Sequence, residues 1–220
     1  MTKTIKAYKG LPMEGAIATW YTKTTLKDLK RHKLMAKQLV EKIPANGKVL
    51  EIAPGPGYFC IELAKLGKYQ ITGLDISKSF VEIARKNAAE SGVQVDFRRG
   101  NASAMPFENE TFEFTFCQAA FKNFSEPVTA IAEMYRVLRP NGTAIIVDLR
   151  RDASSEEIER EIKGMGLDRI NEFVVRWTFK QMLLKSAYSI AEMESMISQT
   201  PFGNGRIDVG NIDFQVWLKK

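Results

Sequence analysis

Short apolar runs alternate with amphipathic stretches along most of this 220-residue chain. The runs at 48–53, 69–74, 93–98, 111–117 and 143–149 have the length and the β-branched or aromatic content of buried strands. Between them, 58–66, 78–91 and 127–138 repeat apolar residues at helical spacing. Ser77 fits an N-cap, Gly92 a helix stop and Pro127 a first helical position. An earlier helix is expected from about residue 25 to 42, with Thr25 and Asp28 as a capping box and Pro44 beyond its end. Residues 1–24, with Gly10, Pro12 and Gly15, read as irregular. Strand and helix in this alternation build a mostly parallel sheet with helices on both faces.

The pattern changes after residue 150. A charged helix is expected at 154–163 and a longer amphipathic one at 167–184, where Ile170, Phe173, Val174, Trp177 and Leu184 make a packing stripe. Ser189 and Glu192 form a second capping box, opening a helix to Ser198. Strands near 206–209 and 212–218 lie close enough to pair as a hairpin across Gly210-Asn211, so the sheet should end in an antiparallel edge. The expected organisation is one domain in three parts: 1–45, a core at 46–150, and a helical cap with terminal strands at 151–220 that completes the same domain.

Composition narrows the class. An apolar content of 45% is enough for a full core. Cys60 and Cys117 sit in apolar segments and read as buried thiols in a reducing, cytoplasmic setting. No apolar run reaches the roughly 18 residues of a membrane span, and the N-terminus lacks a secretory pattern. Lys and Arg exceed Asp and Glu by six, which reads as a diffuse, lysine-rich surface. The one concentrated patch is Lys23, Lys27, Lys30, Arg31, Lys33 and Lys37, interleaved with leucines as on an amphipathic helix with a solvated basic face. It keeps nucleic acid as a less favoured partner. Cys and His residues show no metal-ligand spacing, so no metal is expected.

The chemistry is concentrated at Val49-Leu50-Glu51-Ile52-Ala53-Pro54-Gly55-Pro56-Gly57-Tyr58, an apolar strand running into a Pro/Gly turn. Gly55 and Gly57 let backbone approach a ligand, the prolines stiffen the loop, and the next helix points amide hydrogens at the site. A second apolar run ends at Asp75, placed to accept hydrogen bonds from ribose hydroxyls. The dinucleotide fingerprint fails at its third glycine, where Cys60 stands. A hydride-transfer enzyme is therefore a weaker alternative.

These residues resemble the class I S-adenosylmethionine-dependent methyltransferases over about 45–150. Glu51-x-Ala53-x-Gly55-x-Gly57 is similar to their first motif, and Gly73-Leu74-Asp75-Ile76-Ser77 to their ribose-binding segment. Asn101-Ala102 with Met105-Pro106-Phe107, Phe112-Glu113-Phe114, and Leu138-Arg139-Pro140-Asn141-Gly142 follow in order. The resemblance implies a Rossmann-like, mostly parallel seven-stranded sheet with an antiparallel C-terminal strand. It implies S-adenosylmethionine as cofactor and a 1–45 segment that covers it. Gly55 and Gly57 would lie against its methionine part, Asp75 would hold the ribose and Ile76 the adenine face. Asn101 and Ala102 would meet the adenine edge. Ala53 departs from the usual glycine, and its methyl is expected to crowd the cofactor. Asn101 and Glu113 each stand where aspartate is common.

For the acceptor side, the loop Gln118 to Phe124 lies beside the expected methyl position. Gln118 and Phe121 are candidate contacts, Phe121 and Phe124 a candidate apolar wall, and Lys122 either an anion contact or solvated. Tyr8, Trp20 and Tyr21 are candidates to approach the sulfonium, Tyr21 foremost. Arg176 could meet a substrate carboxylate or pair with an acid. The paired histidines of quinone- and sterol-type members are missing, and the only histidine, His32, reads as structural or solvent-facing. The expected function is methyl transfer by direct displacement to a small, partly apolar molecule. The alternatives are an RNA or protein methyltransferase, and a non-catalytic binding protein with the same fold.

Overall fold

The computed structural model describes residues 8–9, 12–26, 29–166, 168–178 and 183–220. The described residues form α1 (Gly15–Thr25), α2 (Leu29–Val40), β1 (Lys48–Ile52), α3 (Tyr58–Ala64), β2 (Gln70–Asp75), α4 (Lys78–Glu90) and β3 (Asp96–Arg99). There follow β4 (Phe112–Gln118), a 3₁₀ turn (Phe121–Asn123), α5 (Pro127–Val137), β5 (Leu138–Leu149), α6 (Ser155–Gly164), α7 (Arg169–Thr178), α8 (Ile190–Ser198), β6 (Arg206–Val209) and β7 (Asp213–Lys219). The strand order is β3-β2-β1-β4-β5-β7-β6. Pairs from β3 to β5 are parallel, and β7 joins β5 antiparallel, with β6 antiparallel outside it. This is the Rossmann-like methyltransferase architecture expected from the sequence.

Alternation along the strands makes two cores. One face carries Val49, Ile71, Phe97, Phe114, Phe116 and Ile145 against α2, α3 and α4. The other carries Leu50, Ile52, Leu74, Ile146 and Phe214 against α5 and α8. Aromatic contacts such as Phe59 on Phe116, 4.3 Å between centroids, lock helix to sheet. The expected caps hold. Ser77 Oγ accepts from Phe80 N, and Ser189 and Glu192 complete their box.

The N-terminal part differs from expectation. Residues 15–25 are helical, and Thr25 Oγ1 donates to Tyr21 O within α1 instead of capping α2. Asp28 lies outside the described residues, as do 179–182 of the expected long helix. Phe173 and Trp177, expected in a packing stripe, are exposed, while Leu184 is buried. The side chains of Ile170 and Val174 are also outside the description. The turn expected at 139–142 survives as an irregularity inside β5. The pairing jumps from Phe112↔Leu138 to Phe114↔Thr143, and Asn141 takes a left-handed φ of 66°.

Gly57 couples this packing to the site. Its φ is +81°, and a Cβ there would meet Phe97 Cζ at 2.7 Å and Ala84 Cβ at 3.0 Å. The residue is glycine because α4 and the β3 phenylalanine fill that space. Gly57→Ala combines left-handed strain with an overpacked core and should cost about 2–4 kcal/mol in urea unfolding.

Candidate active site

The strand order reverses between β1 and β4, so the crevice at their carboxyl ends is where an open sheet of this kind binds ligands. Both strands leave the sheet through an alanine with positive φ, Ala53 at 56° and Ala119 at 57°. A non-glycine residue in this region costs of order 1 kcal/mol, and such strain gathers at functional sites. Ala53 N donates to Leu74 O and Ala119 N to Val147 O, each at 2.8 Å, which holds both exits in place. The methyl of Ala53 packs against the α5-side core. Its departure from glycine is therefore met as backbone strain and core packing.

Asp75, at the end of β2, is buried. Its Oδ2 accepts from Gly55 N at 3.0 Å and its Oδ1 from Ser77 N at 2.9 Å. Burial pushes its carboxyl up to about 6, against the pull of the Ser77 and Gly55 N–H groups and with a further push from Glu14. Ile76, next in the chain, is an exposed apolar side chain. Gly55 has a φ of +54° and nothing within 4 Å of where a Cβ would be, so the loop presents bare backbone to open space. Gly57 instead faces the core.

Glu51 lies beneath the loop. Its Oε2 accepts from Cys60 N at 3.1 Å and from Cys60 Sγ at 2.8 Å, stapling β1 to the first turn of α3. Burial pushes this carboxyl up to about 7; the Cys60 bonds oppose the rise and Asp75 adds to it. Asn101 Oδ1 accepts from Ser103 N at 3.0 Å, tightening the loop that carries Ala102. Arg136, which sequence reasoning did not single out, pins the same loop through Met105 O and Phe107 O, at 3.0 and 2.7 Å.

On the acceptor side, Gln118 ends β4 with its Oε1 buried and without a hydrogen-bond partner. Phe121 is fully buried and packs on Phe124 and Tyr188, so it forms part of the floor. Lys122 is neither solvated nor offered to an anion. Its Nζ donates to Asp148 Oδ1 and to Ala119 O, both at 2.8 Å, and its own N–H donates to Asp148 Oδ2 at 2.9 Å. Arg176 is likewise committed: it makes a two-pronged contact with Glu159, at 2.6 and 2.7 Å, that ties α7 to α6. Both readings of Lys122, anion contact and solvated, are corrected accordingly, and Arg176 takes the second of its two, the pair with an acid. His32 packs beside Tyr58 at the α2–α3 junction.

The N-terminal segment forms a strap. Tyr8 bridges to Phe124, and Lys9 N donates to Asn123 O at 2.8 Å. At the other end Met13 O accepts from Ser77 Oγ at 2.6 Å, and the Glu14 carboxylate accepts from Lys78 N and Ser79 N, both at 2.9 Å. The strap therefore links the loop after β4 to the start of α4. Burial pulls the Glu14 carboxyl upward, but bonds from Ser79, Lys78 and Ser77 outweigh it and hold the group below its ordinary range. Tyr8 is raised by burial and by the negative charge of Asp75, which puts this ring within electrostatic reach of the ribose candidate. Tyr21, the aromatic favoured from sequence, packs edge-on against Phe80 at 5.7 Å. Lys9 Nζ donates to Tyr188 OH at 2.6 Å, adding two residues at the mouth that carried no sequence motif.

A groove of about 840 Å³ lies elsewhere, lined by the starts of β1 and β2 and by Asp96 and Arg98 of β3. It sits at the opposite ends of the strands from the crevice and takes in Pro106, Phe107 and Phe112, but none of Glu51, Gly55, Gly57, Asp75, Asn101 or Gln118.

Residues 50–146 match the model of a methyltransferase domain. The match covers a little under half of the chain, from β1 into β5. The chain is 32% identical over 108 residues to the demethylmenaquinone methyltransferase of Deinococcus radiodurans, covering 49% of this chain and 45% of that protein. It is 30% identical over 131 residues to a ubiquinone biosynthesis O-methyltransferase of Chelativorans sp., covering 59% and 48%. The chain thus spans about half the length of the curated relatives it matches. A candidate S-adenosyl-L-methionine-dependent methyltransferase of Methanococcus maripaludis superposes with a TM-score of 0.77 at 19% identity, over 96% of this chain and 95% of that one.

S-adenosylmethionine is the cofactor of this class, and the crevice fits it at two points. The Gly55 backbone borders open space, and the Gln118 amide oxygen is buried without a donor.

Two outcomes follow. Asp75 and Glu51 are raised above their ordinary values near about 4, so the stability they contribute is fully present below that pH and is lost as pH rises from there through about 6 and about 7. Unfolding free energy should fall between about pH 4 and about pH 7, and Asp75→Asn should remove the part of the fall that ends near 6 in urea titrations at several pH values. Separately, Lys122→Met leaves Asp148 without its buried cation and should cost about 3–5 kcal/mol by the same measurement.

Proposed function

We propose that this chain transfers the methyl group of S-adenosylmethionine to a small, partly apolar acceptor held beneath the strap, beside Gln118. In this reading Asp75 accepts from the ribose hydroxyls and Ile76 covers one adenine face. The Gly55 backbone and Gln118 border the methionine end, and Asn101 and Ala102 border the adenine edge. When bound, the cofactor supplies an electrophilic methyl on a sulfonium. The chain's own contribution is orientation and exclusion of water, which can account for much of the acceleration in a direct displacement.

The observation that carries the proposal is the strap. Its described ends are anchored on opposite sides of the crevice where β4, β1 and β2 end, Tyr8 and Lys9 at Asn123–Phe124 and Met13 and Glu14 at Ser77–Ser79. A crevice bounded in this way suits a compact acceptor better than a polymer. The two relatives named above have quinone-pathway names, one of them an O-methyltransferase, which supports an oxygenated ring as the acceptor class. No imidazole lies among the described mouth residues Tyr8, Lys9, Gln118, Phe121, Phe124 and Tyr188. An acceptor that gives up its own proton readily, such as a phenol or enol, fits this surface. The buried free thiols fit a cytoplasmic setting.

Calorimetry with S-adenosylhomocysteine tests the cofactor assignment. Asp75→Ala should bind at least about tenfold more weakly, roughly 1.4 kcal/mol. Unchanged affinity in the folded variant would remove Asp75 from the ribose. For the acceptor, transfer of labelled methyl to quinol-type phenols is the expected result. Labelling confined to RNA or protein fractions would replace the small-molecule reading, and tight binding with no transfer to any acceptor would favour a non-catalytic role.

A further inference from the structure

The basic excess is not diffuse. Residues 15–40 hold six Lys or Arg and one Asp, so this short segment carries five of the chain's six net positive charges. The same segment holds bulky apolar side chains that the fold leaves in water. Ile17 is 42% exposed, Trp20 64%, Leu26 53% and Leu34 57%. On α2, Leu34 stands one turn from both Lys30 and Lys37, all three exposed, while Ala36 and Leu39 turn inward to the core. On α1, Ile17 and Trp20 are one turn apart on the outer side, while Ala18 is buried.

We propose that α1 and α2 form a surface that docks on an anionic lipid bilayer. The occupant follows from the two chemistries occurring together. Phosphate-rich surfaces attract lysines, and a nucleic acid can stack a base on Trp20, but it has no apolar phase for the exposed Ile17, Leu26 and Leu34. A bilayer with anionic headgroups accepts both: the ammonium groups stay among the phosphates, and the apolar side chains enter the acyl boundary. Tryptophan suits that boundary because its ring is apolar and its N–H is polar.

The surface is coupled to the site. α1 begins immediately after Glu14, whose carboxylate holds the start of α4. Its inner side is anchored by Tyr21 on Phe80 and by Tyr58 OH donating to Thr22 O at 3.0 Å. A bilayer bound through α1 therefore lies against the element that continues the strap, and the crevice opens next to it. The inference is independent of the acceptor assigned above.

Flotation of the full chain with phosphatidylcholine vesicles, with and without phosphatidylglycerol, tests the proposal. The chain should float with the anionic vesicles and be released as salt screens the attraction. Lys30→Glu/Lys33→Glu/Lys37→Glu should weaken that binding by at least about tenfold. Trp20→Ser should weaken it several-fold with the same salt dependence. All four side chains project from the surface, so circular dichroism should match wild type in both variants, and S-adenosylhomocysteine binding should match it in the triple lysine variant. The proposal is overturned by equal binding to both vesicle types, by no binding to either, or by a triple variant that floats like wild type. It is equally overturned if a single-stranded RNA displaces the chain from anionic vesicles at matched phosphate concentration.

Discussion

The arrangement of the crevice depends on how one buried carboxylate is satisfied. A carboxylate removed from water needs donors in its place. Asp75 takes one from Gly55 and one from Ser77, and these belong to two different loops. The glycine loop after β1 and the start of α4 are thereby held at a fixed separation around a single anion. Ser77 then extends the connection, since its hydroxyl donates to Met13 O and accepts from Phe80 N. Two backbone donors do not fully replace water, which is why Asp75 remains raised to about 6. A ligand that brings a pair of hydroxyls would complete the set, so the residue that organises the protein is also the one left short of partners.

The backbone around this anion is bent to fit. Ala53 and Ala119 leave adjacent strands in the left-handed region. Glycine would adopt that conformation without strain, and alanine accepts it because the surroundings over-determine it. Each N–H is bound to the neighbouring strand, and the Ala53 methyl packs into the core. Glu51 adds a second constraint from below by gripping both the N–H and the thiol of Cys60. The loop is therefore set by groups that are themselves buried, and it leaves the space beside the Gly55 backbone unfilled.

Much of this was legible in the chain. Strands, caps and the terminal hairpin follow from periodicity and local chemistry, because those signals act over a few residues. The positions of Asp75 and Gly55 follow from motif spacing. What could not be read was set by partners distant in sequence. That Gly57 also has no room for a side chain, because Phe97 and Ala84 fill the space beside it, is not visible in the motif. Lys122 looks solvent-facing until Asp148, 26 residues away, takes its charge. Arg176 leaves two partners open, a substrate carboxylate or an acid of the chain, until Glu159 is found on the neighbouring helix. The strap was the largest omission. Its glycines and proline suggested irregular chain, and nothing local to Glu14 reveals that its carboxylate will cap a helix 64 residues on.

The buried ion pair explains how the strap is kept in place. Pairing two charges in a protein interior gives little net stability, because both must lose their water. Lys122 and Asp148 are better understood by what they position. Asp148 holds the ammonium and the backbone N–H of Lys122, and the ammonium also holds Ala119 O. This locks the turn at 121–123 onto the end of β5. The carbonyl of Asn123 on that turn receives Lys9 N–H, and Phe124 beside it receives the bridge from Tyr8. One end of the strap thus rests on a buried charge pair, while the other rests on Ser77, the residue that satisfies Asp75. The anchored ends of the strap and the floor of the crevice share their supports, so a change that loosens either carboxylate should loosen the site as well as weaken the fold.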